Sequence, residues 1–359
     1  AQVPHAQLFY GPKGSTQLAM ARAYVQYIAC ESPLDNDSCG TCRSCRQLDH
    51  HNYPNLHYLF PTATTKKFTK TSDLISDNFL SEWRFLLEQN PFFSINDWLA
   101  HIGAENKQAQ IRKDDGQNLE SKLKLKSTGG GFKFAIIWLP EYLNATTANK
   151  LLKTLEEPHG QTLIILVSEN ADALIGTITS RCQKTFIPSP DTPAINAYLL
   201  SKGVLPDEAQ QAAELSDGDL MEAERIAGAS GRYLKYAELF KNWMRACYAA
   251  DTDKIFQSVE EFSKLDRDPQ KEALSFFQKT LQLIITKRLS QKPINHPFYE
   301  KVDFNLTRFS PFIHPQNISP INKLLEEAIY DIRRNGNPRI LMGDMSIRMA
   351  RLLKQKSTD

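Results

Sequence analysis

Gly11-Pro12-Lys13-Gly14-Ser15-Thr16-Gln17-Leu18 follows the apolar run Leu8-Phe9-Tyr10 and opens a helical pattern that extends through Cys30. Strand, glycine-bearing loop and helix in that order are the setting of a phosphate-binding loop, G-x-x-x-x-G-K-[ST]. Gly11 stands at the first glycine, and Gly14 lies within the loop. The second glycine, however, is Thr16, the lysine is Gln17 and the hydroxyl residue is Leu18. Gln17 brings no charge to a β- or γ-phosphate, and Leu18 has no oxygen for Mg²⁺. The stretch reads as the scaffold of an NTPase that does not turn over NTP. Backbone N–H groups at the helix start can still hold an anion, although Thr16 in place of glycine makes that harder.

Working outward, residues 1–188 read as α/β. Apolar runs occur at Leu8–Tyr10, Leu56–Phe60, Phe134–Trp138 and Thr162–Val167 with helical patterns between some of them, the alternation of a parallel sheet covered by helices. The spacing predicts a helix over Ala145–Glu157, capped by Asn144, with Leu151, Leu152 and Leu155 on its inner face and Pro158 and Gly160 beyond its end. The long insertion 61–131 has no clear pattern. It holds aromatic-rich, helix-like pieces (Trp83–Leu87, Phe92–Leu99), the lysines Lys66, Lys67, Lys70, Lys122, Lys124 and Lys126, and the run Gly129-Gly130-Gly131.

Pro188-Ser189-Pro190-Asp191 marks a domain boundary, because prolines do not continue a central strand or a helix interior. Residues 191–230 read as a small helical unit with a turn at Ser216-Asp217-Gly218, and 231–359 as a further all-helical unit. There Tyr236, Phe240, Trp243 and Cys247 form one apolar stripe, Leu274, Phe277 and Leu281 a second, and Leu341, Met345, Met349 and Leu352 a third. The plain reading of these stripes is helix–helix packing, an oligomer surface included.

Cys30, Cys39, Cys42 and Cys45 give C-x8-C-x2-C-x2-C. Four thiolates in one short excursion close a tetrahedral Zn²⁺ with no open position, which is a structural arrangement. An iron–sulfur cluster fits less well, since the bacterial run carries its fourth cysteine downstream and followed by proline, whereas Arg46-Gln47 follow Cys45. Free reduced thiols are the remaining alternative. Cys182 and Cys247 read as ordinary residues. Four clustered cysteines among six point to a metal in a reducing cytosol rather than to disulfides.

The 359 residues, 41% hydrophobic and 23% charged, are those of a soluble globular protein of two or three domains. A net charge of +2 makes no global demand for nucleic acid or membrane. No apolar run approaches the roughly 20 residues that span a bilayer. No secretory signal is evident at the N-terminus, so a cytoplasmic location is expected.

In His5-Ala6, the loop, the cysteine cluster, Leu151-Leu152-Lys153-Thr154-Leu155-Glu156-Glu157-Pro158 and Ser180-Arg181-Cys182 together, the chain resembles the clamp-loader subunits of bacterial DNA polymerase III. These are AAA+ proteins with an ATP-hydrolysing gamma/tau branch and an inert delta-prime branch. The resemblance is close over residues 5–60 and 130–188 and holds in outline beyond, where Asn335-Gly336-Asn337-Pro338 is similar to the start of the family's last collar helix. It implies an α/β AAA+ (RecA-like) domain over 1–188 with a zinc module inserted at 30–45, a helical lid over 191–230 and a helical collar over 231–359.

The departures select the branch. Where the family's strand ends in Asp-Glu, this chain has Pro140-Glu141, and where a sensor arginine follows the lid glycine Gly218, it has Met221. With Gln17 and Leu18, these losses resemble the inert branch, and Glu141 is assigned no catalysis. Ser180-Arg181-Cys182 survives, and the resemblance implies that Arg181, introduced by Ser180, is an arginine finger for a neighbouring motor's ATP. A guanidinium stays charged and offers a planar fork to phosphate oxygens. The expectation is a non-hydrolysing stator with structural Zn²⁺ and no ATP hydrolysis of its own. Its implied partners are gamma/tau and delta subunits and, through the assembly, the sliding clamp and primer-template DNA. Two rivals are weighed against it. One is an active gamma/tau-type motor. The other is a zinc-dependent nucleic-acid-binding protein using Lys66–Lys70 and Lys122–Lys126, which lack interleaved aromatics and read better as a solvated, partly disordered loop.

Overall fold

The structure, a computed structural model, describes residues 3–14, 16–105, 107–289, 294 and 296–355, so Ser15 of the quoted loop lies outside it. The described chain divides into two compact units, 1–224 and 225–359.

In the first unit β1 (Ala6–Tyr10), β2 (Leu56–Leu59), β3 (Lys133–Trp138), β4 (Thr162–Ser168) and β5 (Gln183–Phe186) form one sheet in the order β2-β3-β4-β1-β5. Every pairing is parallel. Because both faces of the sheet are covered, its central strands are apolar almost continuously rather than alternately. Phe9, Ile136, Trp138, Leu163, Ile165 and Val167 face one core, with α1 (Gln17–Ala29), α3 (Leu80–Gln89) and α4 (Ile95–His101). Leu8, Ala135, Ile137, Ile164 and Leu166 face the other, with α5 (Lys113–Lys124), α6 (Ala145–Glu156) and the short α7 (Gly176–Thr179). Between α1 and β2 the chain makes α2 (Arg43–Asp49). The Asn144 side chain accepts from the Thr147 N–H at 2.7 Å and starts α6, a cap of a kind typically worth ~1 kcal/mol. The edge strand β5 carries no apolar signal in the sequence, because Gln183-Lys184-Thr185-Phe186 is largely exposed and polar.

Within the insertion 61–131 the aromatic-rich, helix-like pieces fold as α3 and α4 in one core, whereas Lys122 and Lys124 correct the expectation of a solvated, partly disordered loop, since they lie on α5, which packs in the other. Trp83 is fully buried, stacked on Phe60 with ring centroids 4.2 Å apart, and it meets Trp98 at 5.4 Å and Trp138 at 5.1 Å. Lys122 pairs with Asp77, and Lys124 with Glu120 at 2.6 Å; Lys66, Lys67 and Lys70 stay exposed. Truncating so large a packed ring removes its transfer energy and leaves a cavity. Trp83→Ala is therefore expected to lower unfolding stability by about 3–5 kcal/mol, read as a shift in the denaturant midpoint at unchanged slope.

After the 188–191 linker come α8 (Thr192–Ser201), which Asp191 caps by accepting from the Ala194 N–H at 2.9 Å, then α9 (Pro206–Leu215) and α10 (Leu220–Gly228). Most of this segment clusters with the first unit, whose limit falls at residue 224 within α10. The second unit is helical among the described residues: α11 (Ser230–Ala249), α12 (Thr252–Ser263), α13 (Arg267–Leu289), α14 (Pro297–Lys301), α15 (Leu306–Phe309), α16 (Pro315–Arg333) and α17 (Pro338–Leu353). The first two stripes lie in its core. In the third, Met345 and Met349 are buried, but Met342 and Leu353, not Leu341 and Leu352, complete the inner face. The Trp243 indole N–H donates to Ser346 Oγ at 2.9 Å, joining α11 to α17.

Candidate functional site

Three groups of residues singled out in the sequence gather around the sheet. The first is the loop between β1 and α1. The Gln17 side chain, 3% exposed, turns back and donates from Nε2 to the Pro12 carbonyl at 2.8 Å. Leu18 points into the core beneath α1. Thr16 stands at the N-cap without a side-chain cap bond. A Cβ on Gly11 would lie 2.0 Å from the Ile187 carbonyl oxygen, so only glycine fits that approach. A Cβ on Gly14, whose φ is +78°, would lie 2.1 Å from the carboxyl carbon of Asp219. Asp219 caps α10 by accepting from the Glu222 N–H at 2.9 Å, and the Leu220 N–H donates to the Gly14 carbonyl at 3.1 Å.

Two further carboxylates stand near. Glu141 Oε1 accepts from the Glu169 N–H at 3.0 Å, while Glu141 Oε2 is buried without a partner among the described residues. Burial raises the Glu141 carboxyl above its ordinary range. Burial also pushes Glu169 up to about 7, with Glu141 and Asp219 adding to the rise and Lys13 opposing it. Met221 is buried. Asp219 and Glu169 carry no motif in the sequence, since their neighbourhood exists only in the fold.

The second group is Ser180-Arg181. Ser180 is the C-cap of α7 and donates from Oγ to the Thr177 carbonyl at 3.2 Å. Arg181 is exposed; its Nη1 donates to the Thr177 carbonyl at 2.8 Å, and its guanidinium pairs with Glu156 at the end of α6. The His5 ring Nε2 donates to the Leu155 carbonyl at 2.8 Å, which fixes the proton on that nitrogen. Three separated motifs thus meet at the C-terminal end of α6.

The third group is the cysteine cluster. Cys30, Cys39, Cys42 and Cys45 place their sulfurs within 4.8 Å of one another, compatible with the ~3.8 Å edge of a tetrahedron whose metal–sulfur bonds are ~2.3 Å. None forms a disulfide. Backbone N–H groups serve the sulfurs: Cys39 to Cys30 Sγ at 3.3 Å, Cys42 to Cys39 Sγ at 3.3 Å and Cys45 to Cys42 Sγ at 3.4 Å. Such donors favour thiolate, and those from Thr41 and Cys42 bring the Cys39 thiol down to about 6, whereas burial lifts Cys45 to about 12. The four residues can bind one metal ion.

Fold and site together define a parallel α/β module carrying a four-cysteine excursion, with a helical unit following. The family model described as "DNA polymerase III, delta subunit" matches residues 1–191, and the chain belongs to that family. Relatives named "DNA polymerase III subunit delta'" include one from Pseudomonas aeruginosa, 28% identical over 65% of this chain and 58% of its own length. Another, from Bacillus subtilis, is 25% identical over 66% of this chain and 60% of its own. A tau subunit from Salmonella typhimurium is 22% identical over 55% of this chain and 24% of its own length. The matches to the two delta' relatives thus span less than two thirds of their length. No helix among the described residues is long and apolar enough to cross a membrane.

Proposed function

We propose that this chain is a non-hydrolysing stator subunit of a bacterial DNA polymerase III clamp loader of the delta-prime type, acting in the cytoplasm in ATP-dependent loading of the sliding clamp onto primed DNA. One observation carries the reading. Protein atoms crowd the loop: Gln17 is bonded to the Pro12 carbonyl, and the carboxylate of Asp219, from the cap of α10, lies against Gly14. A carboxylate beside the loop repels a triphosphate, and the lysine that would neutralise that charge is replaced by Gln17.

The lid reading of 191–230 gains support from the same contacts. Leu220 is bonded to Gly14, and the Glu224 carboxylate accepts from Asn90 Nδ2 and the Tyr198 hydroxyl, each at 2.6 Å. These bonds between protein atoms hold the start of α10 on the first unit, as a fixed stator requires. The 231–359 unit serves as the collar. Cys30, Cys39, Cys42 and Cys45 hold structural Zn²⁺, which supplies no chemistry beyond cross-linking the 30–45 excursion. Arg181 acts in trans on the ATP of a gamma/tau-type motor, alongside a delta-type subunit, and primer-template DNA and the clamp are met through the assembly.

The isolated chain is expected to show no saturable ATP binding by equilibrium dialysis and no hydrolysis above buffer, while a loader reconstituted from this chain and its motor subunits hydrolyses ATP. Turnover by the chain alone, free of motor contamination, would return it to the motor class.

A further inference from the structure

The insertion also builds a cavity that the loader role leaves unused. Helices α3 and α5, the turn at Ser76–Phe79, strand β2 and the segment after α2 enclose about 190 Å³, lined by His51, His57, Tyr58, Asp77, Arg84 and Lys122. Arg22 of α1 joins from behind, its Nη2 donating to His51 Nδ1 at 3.0 Å, so the His51 proton sits on Nε2. His51 holds φ at +53°, a left-handed conformation uncommon outside glycine. Its own N–H is fastened to the Leu48 carbonyl at 3.0 Å. With the Asn52 N–H on the Gln47 carbonyl at 2.9 Å, these bonds make His51 the left-handed residue that closes α2, and that closure fixes where its ring lies.

The charges do not balance. Arg22, Arg84, Lys122 and Lys133 act on the two imidazoles, against only Asp49 and Asp77. Asp77 is already engaged by Lys122 and by Asn118 Nδ2, the latter at 2.6 Å. Asp49 accepts from Gln26 Nε2 at 3.1 Å. Lys133 donates to the carbonyls of Leu123 and Leu125. Among the described residues Arg84 has no hydrogen bond or ion pair, and Arg22 has no carboxylate. Burial, then the neighbouring cations, depress both His51 and His57 to about 4, so both rings are neutral at pH 7. Guanidinium forks and ring N–H groups around a concave space suit a compact, multiply charged oxyanion.

We propose that this cavity, walled by Arg84, Lys122, His51 and His57 with Arg22 behind, is a binding site for a phosphate group. The phosphate belongs either to a free anion or to a nucleic-acid backbone, and the test separates the two. The full chain, metal-loaded, is titrated at pH 7 with inorganic phosphate at fixed ionic strength, and the ring signals of its eight histidines are followed by NMR. The signals of His51 and His57 are expected to move together and saturate, because a bound dianion favours their protonated forms and lifts their pKa toward the ordinary value. Chloride at equal ionic strength should not reproduce the shift.

Arg84→Ala, at an exposed helical position, is expected to weaken the apparent affinity by about tenfold or more, with the other histidine signals unmoved as the check on folding. Lys122→Gln should weaken it as well. A short single-stranded oligonucleotide that competes, where an uncharged-backbone analogue does not, assigns the phosphate to nucleic acid; failure to compete assigns it to a free anion. No saturable shift, or a shift that Arg84→Ala leaves unchanged in a folded chain, overturns the proposal.

Discussion

Replacing Arg181 by alanine is expected to slow ATP hydrolysis at the adjoining motor site by about 10³-fold or more, the scale on which an arginine supplied in trans acts in other phosphoryl-transfer systems. The readout is single-turnover hydrolysis in a reconstituted, DNA-stimulated loader, so that other ATP sites do not mask the affected one. The free-state geometry suits such a role. Arg181 is exposed, and its carboxylate partner Glu156 is itself a surface residue. An ion pair of that kind contributes at most ~1 kcal/mol, so exchanging it for phosphate oxygens costs little. Two companions make the reading specific. Arg181→Lys keeps the charge but not the fork and should recover only a small part of the rate. Glu156→Ala removes the resting partner and should leave assembly intact and the hydrolysis rate within a few-fold of the parent. An Arg181→Ala chain that assembles and supports the parent rate would remove the finger and leave only the scaffold.

How much of this is legible in the sequence differs from element to element, for physical reasons. Four strands announce themselves because a doubly covered parallel sheet demands uninterrupted apolar runs, as in Phe134–Trp138. The fifth sits at an edge, where Lys184 and Gln183 face solvent and the signal vanishes. Helix α6 is legible down to its cap, since Asn144 is a local device. The insertion is legible only in its helix-like pieces Trp83–Leu87 and Phe92–Leu99, because its packing comes from Trp83, Trp98, Phe60 and Trp138, residues distant in sequence that meet only when folded. Such stacking has no period. The lysine segment misleads for the same reason: charge density alone does not reveal that Asp77 awaits Lys122, 45 residues on.

At the loop, the departure from the phosphate-binding pattern can be read directly from Gln17 and Leu18. What replaces it cannot. Asp219 reaches Gly14 only because α10 packs back on the loop after β1, and the one local hint is its place directly after Gly218. The motifs His5-Ala6 and Leu151–Pro158 are recognisable as strings, yet their common purpose is visible only in space. His5 secures the last turn of α6, and that turn presents Glu156 to Arg181. The division at residue 224, rather than at the proline pair near 188, follows from the bonds between α10 and the first unit.

Metal removal should have the other large effect, and its reach is set by the architecture of residues 30–45. Cys45 is fully buried, while Glu31, Ser32, Pro33, Leu34, Asp35, Asn36 and Asp37 are all exposed. Apart from the sulfurs, little closes the segment: the Leu34 N–H donates to the Asp37 carbonyl at 2.8 Å, and Glu31 Oε1 accepts from Ser44. A short excursion with so small a core depends on its cross-link, and structural Zn²⁺ binds zinc-finger peptides with apparent free energies of about 10–16 kcal/mol. The purified chain is expected to carry about one equivalent of Zn²⁺ by elemental analysis. Cys42→Ser, which leaves an oxygen to cap α2 in place of the sulfur, should abolish tight binding and open 30–45 to limited proteolysis. The sheet, whose two cores contain none of the four ligands, should keep its far-ultraviolet signature. Cys182→Ser, in the core beneath α6, should retain the metal. Metal-free protein whose 30–45 segment resists protease as well as the parent would show that the thiols pack without an ion.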